Sequence, residues 1–434
     1  MRNKQNKYIF SRIAVIALCA VLLLSLVSCY APNGNGGIGG ANGPSENDGF
    51  EQLELIDRIF KQNSLFDIDE EALMTAVLKG YVDGTGDKYA EYFTPEEYKK
   101  LTEENSGEMV GVGISVVQNL EKNCIEIVNV ENGSPALEAG VLPGDLIVYI
   151  GRGEDRKSVA ETGYTMSLDL LAGEEGSLAE FTVLRGDEEI EFSIVRKKIV
   201  SSSVSSHIYT LADGVKIGIV RLLKFDLTTP TQFEEAVEKL ILGGCENFVF
   251  DVRYNPGGDL RSITAVLAYF LNEGDVVIRV SDKSGNMTSS KIEAVKYTGA
   301  YAGCSIDKDD IGKYRQLNSA VLTNGSTASA AELFSAVLKD YNISFTVGTT
   351  TYGKGTMQTT IPLSKYGYEG AIKLTTKYYY SPLSESYEGK GIIPNIEVEL
   401  DESLKGVNRF LIKDEEDNQL GAAVEELLKR ASGN

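Results

Sequence analysis

Between residues 215 and 280, short apolar strands alternate with amphipathic helical stretches, and this alternation limits the folds open to the chain more than any other feature. Residues 215–221 read as a strand. Phe233, Ala236, Val237, Leu240 and Ile241 then recur at helical spacing as far as Gly243. Residues 248–252 form a short apolar strand, 259–272 a second helix and 276–280 a third strand. The β-α-β-α-β order predicts an α/β core with some parallel pairing. A buried strand at 320–323 leads through a loop into a helix over 330–338. Strands are expected at 344–348, 355–361 and 370–381, and Leu420, Val424, Leu427 and Leu428 mark a last amphipathic helix near 418–431.

The chain has 434 residues, room for two or three domains. With 42 Lys and Arg against 63 Asp and Glu, and no basic cluster after the first dozen residues, the charge balance argues against nucleic acid as a partner. There is one histidine, His207, and the five cysteines form no CxxC pair, which argues against a His/Cys metal site. His207 lies in a polar stretch, SSSVSSHIY, that reads as a linker or exposed strand. A nucleophilic enzyme built on this chain is therefore expected to use a base other than histidine. Cys124, Cys245 and Cys304 are expected as free buried thiols.

The N-terminus reads as an export signal. Arg2, Lys4, Lys7 and Arg12 precede an apolar run over 13–27, too short for a comfortable membrane span. The following Leu26-Val27-Ser28-Cys29 resembles the lipobox of bacterial lipoproteins, which implies lipidation of Cys29 after removal of 1–28. The alternative is an uncleaved membrane anchor. Residues 29–49, rich in Gly and Asn, read as a flexible tether. Either way the folded part is expected outside the cytoplasm, held at the cell membrane.

Residues 50–104 read as a helical segment. Phe50, Leu53, Ile56 and Phe60 share one face, and Thr94-Pro95-Glu96-Glu97 is a helix start with an N-cap, a proline and a capping-box glutamate. The segment is expected to pack on the main body or on a second copy of the chain. Residues 105–198 read as a small β-rich domain. The stretch Gly111-Val112-Gly113-Ile114 precedes a strand, and Pro143-Gly144-Asp145 makes a turn some thirty residues later. Successive backbone N–H groups with little side-chain bulk can cradle a terminal carboxylate. This order resembles a PDZ domain of the circularly permuted kind in bacterial proteases, with Gly111, Val112, Gly113 and Ile114 as its tail-binding loop.

Three short segments carry chemistry. In Thr327-Ala328-Ser329-Ala330-Ala331-Glu332 a strand-to-helix loop puts Ser329 beside free helix N-terminal N–H groups. By itself such a serine reads as a helix cap. In Gly353-Lys354-Gly355-Thr356-Met357-Gln358 a lysine lies between glycines in an apolar region, and Gln358, four residues on, shares its face. Such a lysine reads as solvated unless burial lowers its pKa enough to make it a base. Asp251-Val252-Arg253-Tyr254-Asn255-Pro256-Gly257-Gly258 ends a strand and exposes backbone N–H groups above it.

Together these segments resemble the C-terminal processing peptidases, or tail-specific proteases, over residues 50–400. The family pattern Asp-Leu-Arg-x-Asn-Pro-Gly-Gly appears as DVRYNPGG, the nucleophile motif as TASAAE, the base motif as GKGTMQ and the closing motif as GKGIIPN. The resemblance implies Ser329 as nucleophile, Lys354 as base and Gln358 as its partner. It implies an oxyanion hole from the backbone of Gly257 or Gly258 with that of Ala330. Ala331 and Asn395 depart from the family's usual serine and aspartate. The implied fold is a mixed α/β multidomain chain: helical segment 50–104, PDZ-like domain 105–198, protease core 199–402 and helical tail 403–434. The implied function is a serine endopeptidase without metal or cofactor, acting on proteins with apolar C-termini, with a homodimer left open. The rival is an inactive PDZ adaptor that binds tails without cutting. A penicillin-binding type of enzyme is matched only by the spacing of Ser305 and Lys308, with no K-T-G or S-D-N to complete it.

Overall fold

The computed structural model describes residues 48–432, apart from Glu121 and Asn132. The expected export signal, Cys29 and most of the expected tether lie outside the described residues. The chain divides into two units at residue 73. In the first, helix α1 (Asp48–Asn63) keeps Leu53, Ile56 and Phe60 exposed. Helix α2 (Glu70–Asp83) begins there and runs into the second unit.

The second unit opens with β1 (Glu91–Phe93) and α3 (Pro95–Ser106). The start of α3 agrees with the sequence pattern. Thr94 Oγ1 accepts the Glu97 N–H at 3.2 Å, and Glu97 Oε2 accepts the Thr94 N–H at 2.9 Å, so two donors left orphaned by the first turn are satisfied reciprocally. Strand β2 (Glu108–Gly111) comes immediately after.

A separate antiparallel sheet is next in the chain. Its elements are β3 (Ile114–Asn119), β4 (Cys124–Val130), α4 (Pro135–Glu138), β5 (Leu146–Ile150), β6 (Lys157–Ser158), α5 (Val159–Thr162), α6 (Tyr164–Leu171), β7 (Leu178–Arg185) and β8 (Glu188–Val195). The order is β3-β4-β5-β7-β8, with β6 on β5, so β3 is an edge. This sheet has its own core of Ile125, Ile127, Ile147, Phe181 and Val183. The buried Asp145 is held by both Nε (2.6 Å) and Nη2 (2.7 Å) of Arg185. Strand β9 (Lys197–Val200) then returns to pair with β2, Glu108 opposite Val200.

The main sheet holds β10 (Val204–Thr210), β11 (Lys216–Leu222), β12 (Asn247–Asp251), then β15 (Asn318–Thr323), β16 (Ser344–Gly348) and β19 (Ile396–Glu397), in that order. Only β10 runs antiparallel. Helices α7 (Thr229–Leu242), α8 (Leu260–Ala268) and α9 (Ala330–Asp340) cover one face, and α10 (Asn418–Ala431) covers the other. Strand alternation explains the division: Phe248 and Phe250 enter the larger core, while Val249 between them joins Leu420, Val424 and Leu427. Hence β12 is buried along its whole length, as parallel strands covered on both faces are.

One expectation is corrected. The strand predicted at 276–280, β13 (Val276–Ser281), is not the third parallel strand. It pairs antiparallel with β14 (Met287–Lys291) and with β18 (Ala371–Tyr380), in a sheet that also contains β1 and β17 (Thr356–Pro362). The apolar run that marks a strand does not say which sheet receives it, and the parallel order resumes only at β15. Cys124, Cys245 and Cys304 are free and buried, as expected. His207 lies on β10, with Nε2 2.6 Å from Asp414 Oδ2. Ser305 Oγ is spent on the Ala302 carbonyl in an irregular turn.

Candidate active site

The loops leaving the carboxyl ends of β12 and β15 meet, as ligand-binding loops of open α/β sheets do. Asn255 joins them. Its backbone carbonyl accepts the Ala328 N–H at 2.9 Å, its Nδ2 donates to the Leu222 carbonyl at 2.9 Å, and its Oδ1 accepts the Gly257 N–H at 2.8 Å. Gly257 and Gly258 both have positive φ, 102° and 149°. A Cβ on Gly258 would stand 1.9 Å from the Phe225 carbonyl oxygen, and one on Gly257 would stand 2.8 Å from Ser329 Cβ. Only glycine lets this turn press against the serine.

Ser329 sits at the N-terminus of α9 with φ 57° and ψ −119°, a region sparsely populated by L-residues and tolerated where the surroundings over-determine it. Its N–H is held by Glu332 Oε2 at 2.8 Å. Among the described residues, the N–H groups of Gly258 and Ala330 have no acceptor, whereas that of Gly257 is taken by Asn255. These two donors without an acceptor belong to residues that line the same space as Ser329.

Glu332, fully buried, reaches the lysine segment as well. Its carboxylate accepts the Lys354 N–H (2.8 Å), the Gly353 N–H (2.7 Å) and the Thr351 hydroxyl (2.6 Å). Burial raises its pKa against those four hydrogen bonds. The Lys354 carbonyl accepts the Tyr379 hydroxyl at 2.5 Å, and the next residue is fixed by Gly355 N–H to Glu388 Oε2 (2.6 Å). The lysine backbone is thus gripped on both sides, and its side chain is free to enter the cavity.

That cavity, about 450 Å³, lies between the carboxyl ends of the main sheet and the antiparallel sheet of β17 and β18. Ser329, Ala330, Gly258, Lys354 and Gln358 line it together. Its apolar wall comes from Leu260, Ile278, Leu333, Met357 and, from the N-terminal part of the chain, Leu101 of α3. The Lys354 ammonium lies 4.5 Å from the centre of the Tyr89 ring. Burial first, then the positive charge of Lys373, lowers its pKa, with Glu332 and Glu388 opposing. Burial raises the pKa of the Tyr379 phenol, and the neighbouring Ser329 hydroxyl opposes that rise.

Among the described residues no hydrogen bond joins Ser329 Oγ to Lys354 Nζ, or Gln358 to Lys354. The Gln358 amide instead donates to Thr356 (3.3 Å) and Thr375 (3.2 Å). Lys354 and Gln358 therefore face the same cavity, as the four-residue spacing implied, but without a hydrogen bond between them among the described residues; Lys354 precedes β17, and a register shift falls between Met357 and Gln358. Gly111, Val112, Gly113 and Ile114 stand away from this cavity, between β2 and the edge strand β3. The N–H groups of Val112 and Gly113 have no acceptor among the described residues. Sequence reasoning assigned no role to Glu332, Tyr379, Tyr89 or Leu101. The S-x-x-E spacing of Ser329 and Glu332 was the one available signal, a capping box.

A model of peptidase family S41 matches residues 216–398. A carboxy-terminal-processing protease of Bartonella bacilliformis is 30% identical over 373 residues, 83% of this chain and 79% of that relative. A protein of Staphylococcus saprophyticus described as a CtpA-like serine protease is 25% identical over 397 residues, 92% of this chain and 75% of its own length. A solved Bacteroides fragilis structure described as an S41 protease superposes with a TM-score of 0.53 at 18% identity, covering 86% of this chain and 97% of the other. That likeness concerns the fold.

Proposed function

Because the chain belongs to peptidase family S41, as a carboxy-terminal-processing serine protease, we propose that it cuts peptide bonds with Ser329 as nucleophile and Lys354 as general base. The observation that carries this reading is the shared cavity, where a half-buried lysine of lowered pKa, a strained serine and two residues with unpaired N–H groups come together. Neutral Lys354 takes the Ser329 proton as Oγ attacks the scissile carbonyl. The carbonyl oxygen becomes an oxyanion, held by the Gly258 and Ala330 N–H groups. The lysine returns the proton to the leaving amine, and water then releases the acyl group by the same route. Rotation of Ser329 toward Lys354 precedes the first step, since the two are not hydrogen-bonded at rest. Gln358 acts here on the strand wall through its threonines, not on the amine.

Substrates are selected by apolar C-terminal tails. The unpaired N–H groups of Val112 and Gly113 can take a terminal carboxylate, and the free edge of β3 can take the tail by strand addition. Residues 105–198 thus serve as a PDZ-like domain, and docking there opens the way to the serine. The exposed apolar face of α1 supports pairing with a second copy. Cys29 carries a lipid anchor that holds the enzyme outside the cytoplasm, a reading supported by the Leu26–Cys29 pattern and the tether after it. Cys29→Ala is expected to abolish incorporation of labelled fatty acid and release the protein from membranes; unchanged labelling would remove that reading.

The dyad is tested by cleavage of an unfolded protein with an apolar C-terminus by residues 30–434, beside Ser329→Ala and Lys354→Ala. Cleavage by the parent alone, with each variant down by at least about 1,000-fold, is expected. Equal cleavage by all three would overturn the mechanism. Tail binding without turnover by the parent would favour an adaptor.

A further inference from the structure

We infer that the C-terminal segment after residue 398 sets the oxyanion turn, with Asp417 and Gln419 as positioning residues that act through Arg253. This inference rests on the proposed use of Ser329 and the Gly258 amide.

Arg253 leaves the end of β12 and points away from the cavity into a buried space. Its own strand supplies one carboxylate, Asp251, on Nε (3.0 Å) and Nη2 (2.9 Å). The rest of the guanidinium is satisfied from the far end of the chain: Asp417 takes Nη2 at 2.7 Å and Nη1 at 3.2 Å, and Gln419 Oε1 takes Nη1 at 2.9 Å. All four residues are buried. A fourth partner, Arg409, donates from Nη1 to the Arg253 carbonyl. Each of the three acceptor side chains satisfies a buried N–H of the guanidinium, and a buried donor left without its acceptor is destabilising.

The catalytic turn begins directly after Arg253. With the arginine's side chain and carbonyl both fixed, the backbone reverses at Tyr254, whose φ is 62° and whose N–H donates to Asn324 Oδ1 at 3.0 Å. The reversal delivers Asn255 to its three hydrogen bonds, one of them to the residue before Ser329, and leaves Gly258, whose N–H has no acceptor among the described residues, lining the cavity with the serine. If Arg253 loses Asp417 it must seek water or another acceptor, and the strained Tyr254 relaxes. Asp417 also caps α10, accepting the Gln419 and Leu420 N–H groups at 3.1 Å. The clamp and the helix that supplies it therefore form together. These residues lie beyond the stretch matched by the family model, so the core alone lacks the backing of its own oxyanion turn.

The test uses the fragment 30–434 and two variants: Asp417→Asn, which keeps a capping side chain but removes the charge, and Gln419→Leu, which leaves the cap intact. Each is assayed for kcat, KM, thermal midpoint and affinity for a peptide aldehyde, whose adduct with Ser329 places an oxygen where the oxyanion forms. A kcat fall of about tenfold to a hundredfold at unchanged KM is expected, because a misplacement of about 1 Å can cost that much. Aldehyde affinity should fall in proportion in the folded enzyme. Unchanged kcat, or a fall that tracks only the unfolded fraction while aldehyde affinity holds, overturns the inference. If Asp417→Asn does not fold, Gln419→Leu decides alone. If the parent itself shows no Ser329-dependent cleavage, the dyad reading falls first and this one with it.

Discussion

As the proposed base, Lys354 has to be neutral to take a proton, and its surroundings favour that state: burial disfavours its charge and Lys373 repels it. Lys373 is itself held by Glu91 at 2.7 Å. Activity should therefore rise with pH as Lys354 loses its proton. Lys373→Met removes the repelling charge and leaves Glu91 unpaired, and both changes favour the ammonium. The rising limb of kcat/KM should then move to higher pH, with the plateau nearly kept. A shift toward lower pH, or none, would mean that another group governs the limb.

At the scale of the element, the loops after β12 and β15 act as one piece. Glu332 holds the serine and lysine segments by their backbones, and Asn255 holds the serine loop to the glycine turn. Gly258→Ala would drive a methyl into the Phe225 carbonyl. The expected result is a kcat loss of about 100-fold or more, the scale of a missing oxyanion donor, with circular dichroism unchanged. Full activity would show that the Gly258 amide is unused. The sequence displayed much of this site because motifs of adjacent residues encode local geometry: Ser329 at a helix start, Lys354 between glycines, Gly257 and Gly258 in a tight turn. It hid what depends on distant contact. Tyr379 meets the Lys354 carbonyl from another strand, and Leu101 arrives from a helix more than 150 residues upstream of the lining residues Pro256 and Leu260. Nor does residue spacing show the threonine partners that the Gln358 amide takes on β17 and β18. The sheet of β13 was misjudged because apolar alternation carries no address.

At the scale of the molecule, the cavity beside Ser329 is a composite. Leu101 lies outside the stretch matched by the family model yet forms part of the wall beside Ser329. Leu101→Ala should widen that wall. Selectivity for small over large side chains at the cut is expected to fall about tenfold, the discrimination typical of one or two methylenes. Sequencing of the new chain ends in a mixed peptide pool would measure it, and an unchanged cleavage pattern would remove Leu101 from the specificity surface.

The short ribbon of β2 and β9 brings two distant points of the chain side by side. Glu108 and Val200 face each other across it, so the small sheet between them leaves the main body and rejoins it at one doorway. A segment with adjoining ends is a replaceable cartridge: it can be exchanged, lengthened or lost with little strain on its host. On the proposed reading of residues 105–198 as a tail-binding domain, selection of the substrate and cutting of the bond can then diverge at separate rates.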